Sequence, residues 1–133
     1  MTRLIEKLSK AKSLLSICIV FSILATIAFL IPLRGAPTLN IKFPLDKLIH
    51  GIIYLSLSFL WISYLNRTKN YKTSGSPIFI ILLLCLFYGI IIEALQELFI
   101  PLRKADIFDI LANTIGSFLG ALLYWNVKVR IKS

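Results

Sequence analysis

Asp46 and His50 stand four residues apart, and the second half of the chain adds Glu93, Gln96, Arg103, Asp106, Asp109 and Asn113. An imidazole among carboxylates, side-chain amides and a guanidinium is suited to acid–base chemistry. In an enzymatic version Glu93 or His50 moves a proton, Asp109 orients its partner, Asn113 and Gln96 donate hydrogen bonds, and Arg103 steadies an anionic group. Asp46 and His50 could form a pair in which the carboxylate fixes the imidazole tautomer. The plainer reading makes Asp46 a helix cap and His50 a packed interfacial residue. No serine or cysteine stands out as a nucleophile. Glu93, Asp106 and Asp109 offer oxygen ligands for Mg²⁺ or Ca²⁺, whereas a single histidine fits zinc less well. The metal question stays open, and no cofactor is called for.

These residues gain weight from where they lie. Five of the six acidic residues (Asp46, Glu93, Glu97, Asp106 and Asp109) fall where apolar segments begin or end on one side of a membrane. A carboxylate in hydrocarbon costs several kcal/mol unless paired or protonated, so a chain that keeps this many there has a use for them. The chain is 133 residues long and 58% hydrophobic. Residues 13–33, 48–66, 73–92 and 110–127 carry no charge, and each run approaches the ~20 residues that cross a ~30 Å hydrocarbon core as helix. They are continuously apolar rather than alternating, which excludes barrel strands. The fold is therefore expected to be all-α: a single domain over 1–133, a bundle of four transmembrane helices near 13–31, 46–65, 77–100 and 106–127. The first run follows a basic leader but exceeds a secretory signal core of ~7 to 15 residues, so it reads as a retained helix.

Ten of the fifteen basic residues flank what would be the cytoplasmic ends of these helices, and Arg34, Lys42, Lys47, Arg103 and Lys104 lie on the other side. The positive-inside rule then puts both termini in the cytoplasm and the carboxylate cluster outside. Trp61, Tyr64, Tyr124 and Trp125 sit near the cytoplasmic ends, where such rings favour the headgroup level. A net charge of +9 spread over three juxtamembrane segments suits the anionic surface of a lipid bilayer and not nucleic acid. Cys18 and Cys85 read as small packing residues.

The first helix holds no ionisable side chain and stops at Pro32. The outer loop of residues 34–45 is a candidate lid. Asp46 opens the second helix, and Pro77 suits the first turn of the third. In the third helix Glu93, Gln96 and Glu97 form an acidic and amide stripe, and the short turn of residues 101–105 makes helices three and four antiparallel neighbours. Asp106, Asp109, Asn113, Gly116 and Gly120 repeat at three and four residues and share one face of the fourth helix. Gly116-x-x-x-Gly120 reads as a packing pair that lets another helix approach closely. Arg103 could hold a phosphate or carboxylate, or neutralise Glu93 or Asp109.

The ordered set Asp46-Lys47-x-x-His50-x-x-x-Tyr54, Glu93-x-x-Gln96, Pro101-x-Arg103, Asp106-x-x-Asp109 and Asn113-x-x-Gly116-x-x-x-Gly120 resembles the VanZ-like family of bacterial membrane proteins. The resemblance runs from the second helix to the end, and Gly51 departs from it where a larger aromatic is expected, which would widen the pocket or loosen the surroundings of His50. It implies a multi-pass protein of the bacterial plasma membrane and cell envelope, in a family whose founding member is associated with low-level resistance to the glycopeptide teicoplanin. It supplies no biochemical activity. Three functions remain: binding or modifying a lipid-linked or cell-wall component at an outward-facing pocket built by helices two to four, a non-enzymatic scaffold or accessory subunit, or a small proton-linked transporter. The last is opposed by the lack of an internal repeat.

Overall fold

The computed structural model describes residues 2–31, 45–68 and 76–132. They form α1 (Thr2–Leu30), α2 (Leu45–Thr68), α3 (Ser76–Phe99) and α4 (Ile107–Lys132), and no strand occurs among them. All four helices contain a segment long and apolar enough to cross a membrane: Lys10–Leu30, Leu45–Thr68, Pro77–Phe99 and Ile107–Arg130. The protein is all-α and multi-pass.

Helix ends run past the apolar runs. α1 starts at Thr2 rather than near residue 13, and α4 continues to Lys132 rather than stopping near 127. Hydropathy marks where a helix meets water, whereas the lysines and arginines in these flanks are good helix formers and let the coil continue. At 1.5 Å per residue α1 is about 44 Å long, well beyond a hydrocarbon core. Pro77 lies in the first turn of α3, where its missing N–H costs no helical bond. The expected lid of residues 34–45 lies outside the described residues except for Leu45.

Side chains are sorted as lipid requires. Ile17, Ile23, Leu84, Phe87, Leu111 and Phe118 are more than half exposed, while the buried set is rich in small and polar residues, including Cys18, Ala25, Ser58, Cys85, Ser117 and Ala121. Lipid tails are as apolar as leucine, so burial of leucine gains little here and close packing and hydrogen bonds take over. α2 is central and touches the other three helices, most extensively α4, whereas α1 packs against α2 and α3.

The α2/α4 seam explains the glycine pair. A Cβ on Gly116 would collide with the backbone of Gly51, and one on Gly120 with the Leu55 carbonyl and the Ser58 hydroxyl. Ser58 Oγ also donates to the Ser117 carbonyl at 2.9 Å. Gly51 is thus half of a backbone-to-backbone contact and lines no part of the polar cavity described below. The α1 side is tied differently: Thr26 Oγ1 and Tyr88 Oη are 2.7 Å apart, and the Trp61 indole N–H donates to Ser22 Oγ at 3.1 Å. Trp61 therefore turns its polar edge into the bundle instead of toward headgroups, while Trp125 is exposed. Cys18 and Cys85 are buried free thiols, as packing residues should be.

Candidate functional site

The first turns of α2 and α4, the last two turns of α3 and the α3–α4 connection meet at one end of the bundle. That connection is a type II turn: Pro101 at its second position, Leu102 in the left-handed region at φ 68°, and the Arg103 N–H donating to the Ile100 carbonyl at 3.2 Å. A leucine where glycine is usual costs on the order of 1 kcal/mol, and the turn sends Arg103 back over the bundle end. Asp106 then caps α4, its Oδ1 accepting the Phe108 N–H at 2.8 Å. Asp46, expected to cap α2, lies in that helix's first turn, and its carboxylate faces His50 and Arg103.

Lys47 sits at the middle of the charges. Its ammonium donates to Asp106 Oδ2 at 2.7 Å and to Asp109 Oδ1 at 3.0 Å. Arg103 Nη2 reaches Asp109 Oδ2 and Asp46 Oδ2, both at 3.4 Å. Asp109 is buried between the two cations. Asp106 lies beyond the membrane-crossing segment, and the Lys47 hydrogen bond, with the Phe108 N–H behind it, holds its carboxyl below the usual carboxylate range. Both contacts of Arg103 run through one nitrogen and are long, so among the described residues its Nε and Nη1 donors stay available to a further anion.

His50 is buried beneath this layer, with the Phe29 ring of α1 tilted against it at a centroid distance of 4.5 Å. Its Nδ1 lies 3.0 Å from Asn113 Oδ1, whereas Asp46 Oδ1 is 3.8 Å from Nε2, beyond hydrogen-bond reach. Asn113, and not Asp46, therefore orients the imidazole: Nδ1 carries the proton and donates to the amide oxygen, and Nε2 faces Asp46. Glu93 Oε2 accepts the backbone N–H of Asp106 at 2.9 Å, tying α3 to the start of α4. Gln96 Nε2 donates to the Phe29 carbonyl at 2.9 Å. Among the described residues, four buried side-chain atoms have no protein partner: Tyr54 Oη, Glu93 Oε1, Gln96 Oε1 and Asn113 Nδ2.

The eight residues singled out by sequence thus come together at one end of the bundle. Asp46, Arg103, Asp106 and Asp109 are joined through ion pairs, His50 and Asn113 pair beneath them, and Glu93 and Gln96 approach from α3. Glu97 is exposed and outside the group. Sequence reasoning left two contributors off the candidate list. Lys47 was visible beside Asp46 as a cation one turn from His50. Phe29 of α1, which contributes a ring and an accepting carbonyl, carries no polar signal at all, and the site is built by all four helices instead of helices two to four.

A cavity of about 110 Å³ opens beside this network, lined by Ala28, Phe29, Asp46, His50, Gln96 and Arg103, with Ile31, Ile49 and Ile100 as further apolar wall. A second cavity, of about 220 Å³, lies deeper on the α1 seam against Leu57, Trp61 and Tyr88, and its lining is nearly all apolar. The ligand set expected from Glu93, Asp106 and Asp109 does not form among the described residues. The carboxylates that converge with a histidine are Asp46 and Asp109, whose oxygens lie within 4.8 Å of one another and of a His50 nitrogen. Lys47 and Arg103 already supply positive charge to that set.

Four helices able to cross a membrane, with a partly buried ionisable cluster at one end, define a polytopic membrane protein. More narrowly, the VanZ/LLP1 family model matches residues 7–129, and the chain belongs to that family. No curated protein and no solved structure matches it at a significant level.

Proposed function

We propose that this chain is a bacterial plasma-membrane protein of the cell envelope, with both termini cytoplasmic, that contributes to glycopeptide (teicoplanin) resistance by binding or modifying a lipid-linked or cell-wall component. The cavity at the charged end carries the reading. It offers Arg103 donors and a His50 edge to an anionic head within an apolar wall, with the Asp46 carboxylate beside them paired to Arg103, and Leu98, Phe99, Leu102, Ile107 and Phe108 near the same end of the bundle are largely exposed. Exposed apolar surface of that kind is suited to lipid, which supports a ligand with an apolar anchor that reaches the site from the membrane. The basic residues gathered at the opposite helix ends support an outward-facing cluster.

A second reading, a scaffold or accessory subunit, is favoured by the density of internal pairing: Lys47, Arg103, Asp106 and Asp109 all have partners within the cluster. Teicoplanin susceptibility of a Gram-positive host separates the two when wild type, Glu93→Gln and Asp109→Asn are compared at matched levels of folded membrane protein. A working site gives protection by wild type and none by the folded variants. A host equally protected by all three, or by none, removes the pocket reading and leaves the scaffold.

A further inference from the structure

The larger cavity, of about 220 Å³, takes no part in the site at the charged end. Leu57, Ile81 and Cys85 are buried at its back, whereas Leu84 on its edge is 57% exposed, so the space opens on the lipid-facing side of α3. At 1.5 Å per residue Leu57 stands about 16 Å along α2 from Asp46, near the middle of a ~30 Å hydrocarbon core.

The hydrogen bonds of the wall decide what can enter. Ser22 Oγ donates to the Cys18 carbonyl at 2.7 Å and accepts the Trp61 indole N–H at 3.1 Å. Thr26 Oγ1 donates to the Ser22 carbonyl at 2.8 Å, so in its 2.7 Å contact with Tyr88 Oη the tyrosine is the donor. Every side-chain O–H and N–H on the wall is thus committed, the wall carries no charged side chain, and its surface is nearly all apolar. None of the four buried atoms left without a partner belongs to it. An ordered water needs two to four polar partners, and an apolar cavity of about 150 Å³ stays dry and accepts a small hydrocarbon.

We propose that this cavity is a binding site for one hydrocarbon chain of a bilayer phospholipid, which enters beside Leu84 and lies against Trp61 and Tyr88. Polarity selects hydrocarbon, mid-membrane depth selects a chain over a headgroup, and the opening toward lipid puts chains at the mouth. The chain completes the packing of α1, whose hydrogen bonds to Tyr88 and Trp61 leave this space between them and the buried back wall. The site stands on the seam of α1, α2 and α3 and does not depend on what the charged end holds.

The sequence has two tryptophans, so Trp125→Phe leaves Trp61, on the cavity wall, as the only one. Its fluorescence is to be read for the full chain in nanodiscs of phosphatidylglycerol brominated at mid-chain, against the same lipid without bromine, which quenches on contact. Trp61 is expected to lose most of its emission. Cys85→Phe fills the cavity from the back and Leu84→Phe narrows its exposed mouth without entering the buried core. Each is expected to reduce Trp61 quenching at least twofold at matched folded levels. In the reciprocal Trp61→Phe chain the exposed Trp125 reports bulk lipid, and its quenching is expected to be the same with and without either substitution. Reduced quenching of Trp61 with unchanged quenching of Trp125 supports the site. Trp61 emission that survives bromine, as when a second copy of the chain covers the opening, or Trp61 quenching that neither folded variant changes, overturns it.

Discussion

The α2/α4 seam and the α1 side of the bundle solve the same problem with opposite means. Along α2/α4, Gly51 meets Gly116, Gly120 seats on Leu55 and Ser58, and side chains nearly vanish so that backbones can touch. Along α1, side-chain hydrogen bonds reach across to Tyr88 and Trp61, Gln96 reaches back to a main-chain carbonyl, and both the polar and the apolar cavity border this side. Close packing makes α2 and α4 the frame that fixes His50, Lys47 and the α4 carboxylates. Longer-reaching contacts leave α1 as the wall beside which space remains. In a bilayer this division is natural, since hydrocarbon gives no hydrophobic drive to close a gap once the frame is formed.

The sharpest way to break that contrast is to put a side chain into the seam. Gly120→Leu drives its branch into the Leu55 carbonyl and is expected to cost on the order of 3 kcal/mol, seen as loss of the folded peak in fluorescence-detected gel filtration. Next in size is Lys47→Met, which strips the ammonium from Asp109 and Asp106. A loss of about 2 kcal/mol is expected, with Asp109→Asn in the same chain recovering part of it in a double-mutant cycle of thermal unfolding.

On the α1 side the effects shrink. Thr26→Val removes the bond to Tyr88 and is expected to cost only about 0.6 kcal/mol, the average for interhelical hydrogen bonds in membranes. A cost there as large as that of Gly120→Leu would erase the distinction between frame and wall. The smallest effect is in acid. Asp106 has its carboxyl depressed by Lys47, so its share of stability is in full above the unfolded carboxylate value of about 3.9 and is lost as pH falls through its lower folded value. Asp106→Asn should therefore flatten the unfolding midpoint below about pH 4 and leave no new slope near neutrality.

Four helices were legible because each charge-free run is as long as a membrane is thick, and spacings of three and four put Asp106, Asp109, Asn113, Gly116 and Gly120 on one face. The pairing within the cluster was not legible. Whether His50 turns to Asp46 on its own helix or to Asn113 on the next depends on helix rotation and height, which periodicity does not set, and the structure chose Asn113. The same limit hid Lys47 as the hub and assigned the α4 cap to Asp106. Phe29 was invisible for a different reason: it contributes a ring and a main-chain oxygen, and neither leaves a polar mark in the sequence.

The claim that matters most is that the charged end of the bundle holds the anionic head of a membrane-anchored molecule. Native mass spectrometry of the chain released from its own membrane, wild type against Arg103→Gln at matched folded levels, tests it most directly. Wild type is expected to retain a lipid-linked anion as a discrete adduct that the variant loses at least tenfold. The same unspecific phospholipid adducts on both proteins would contradict it.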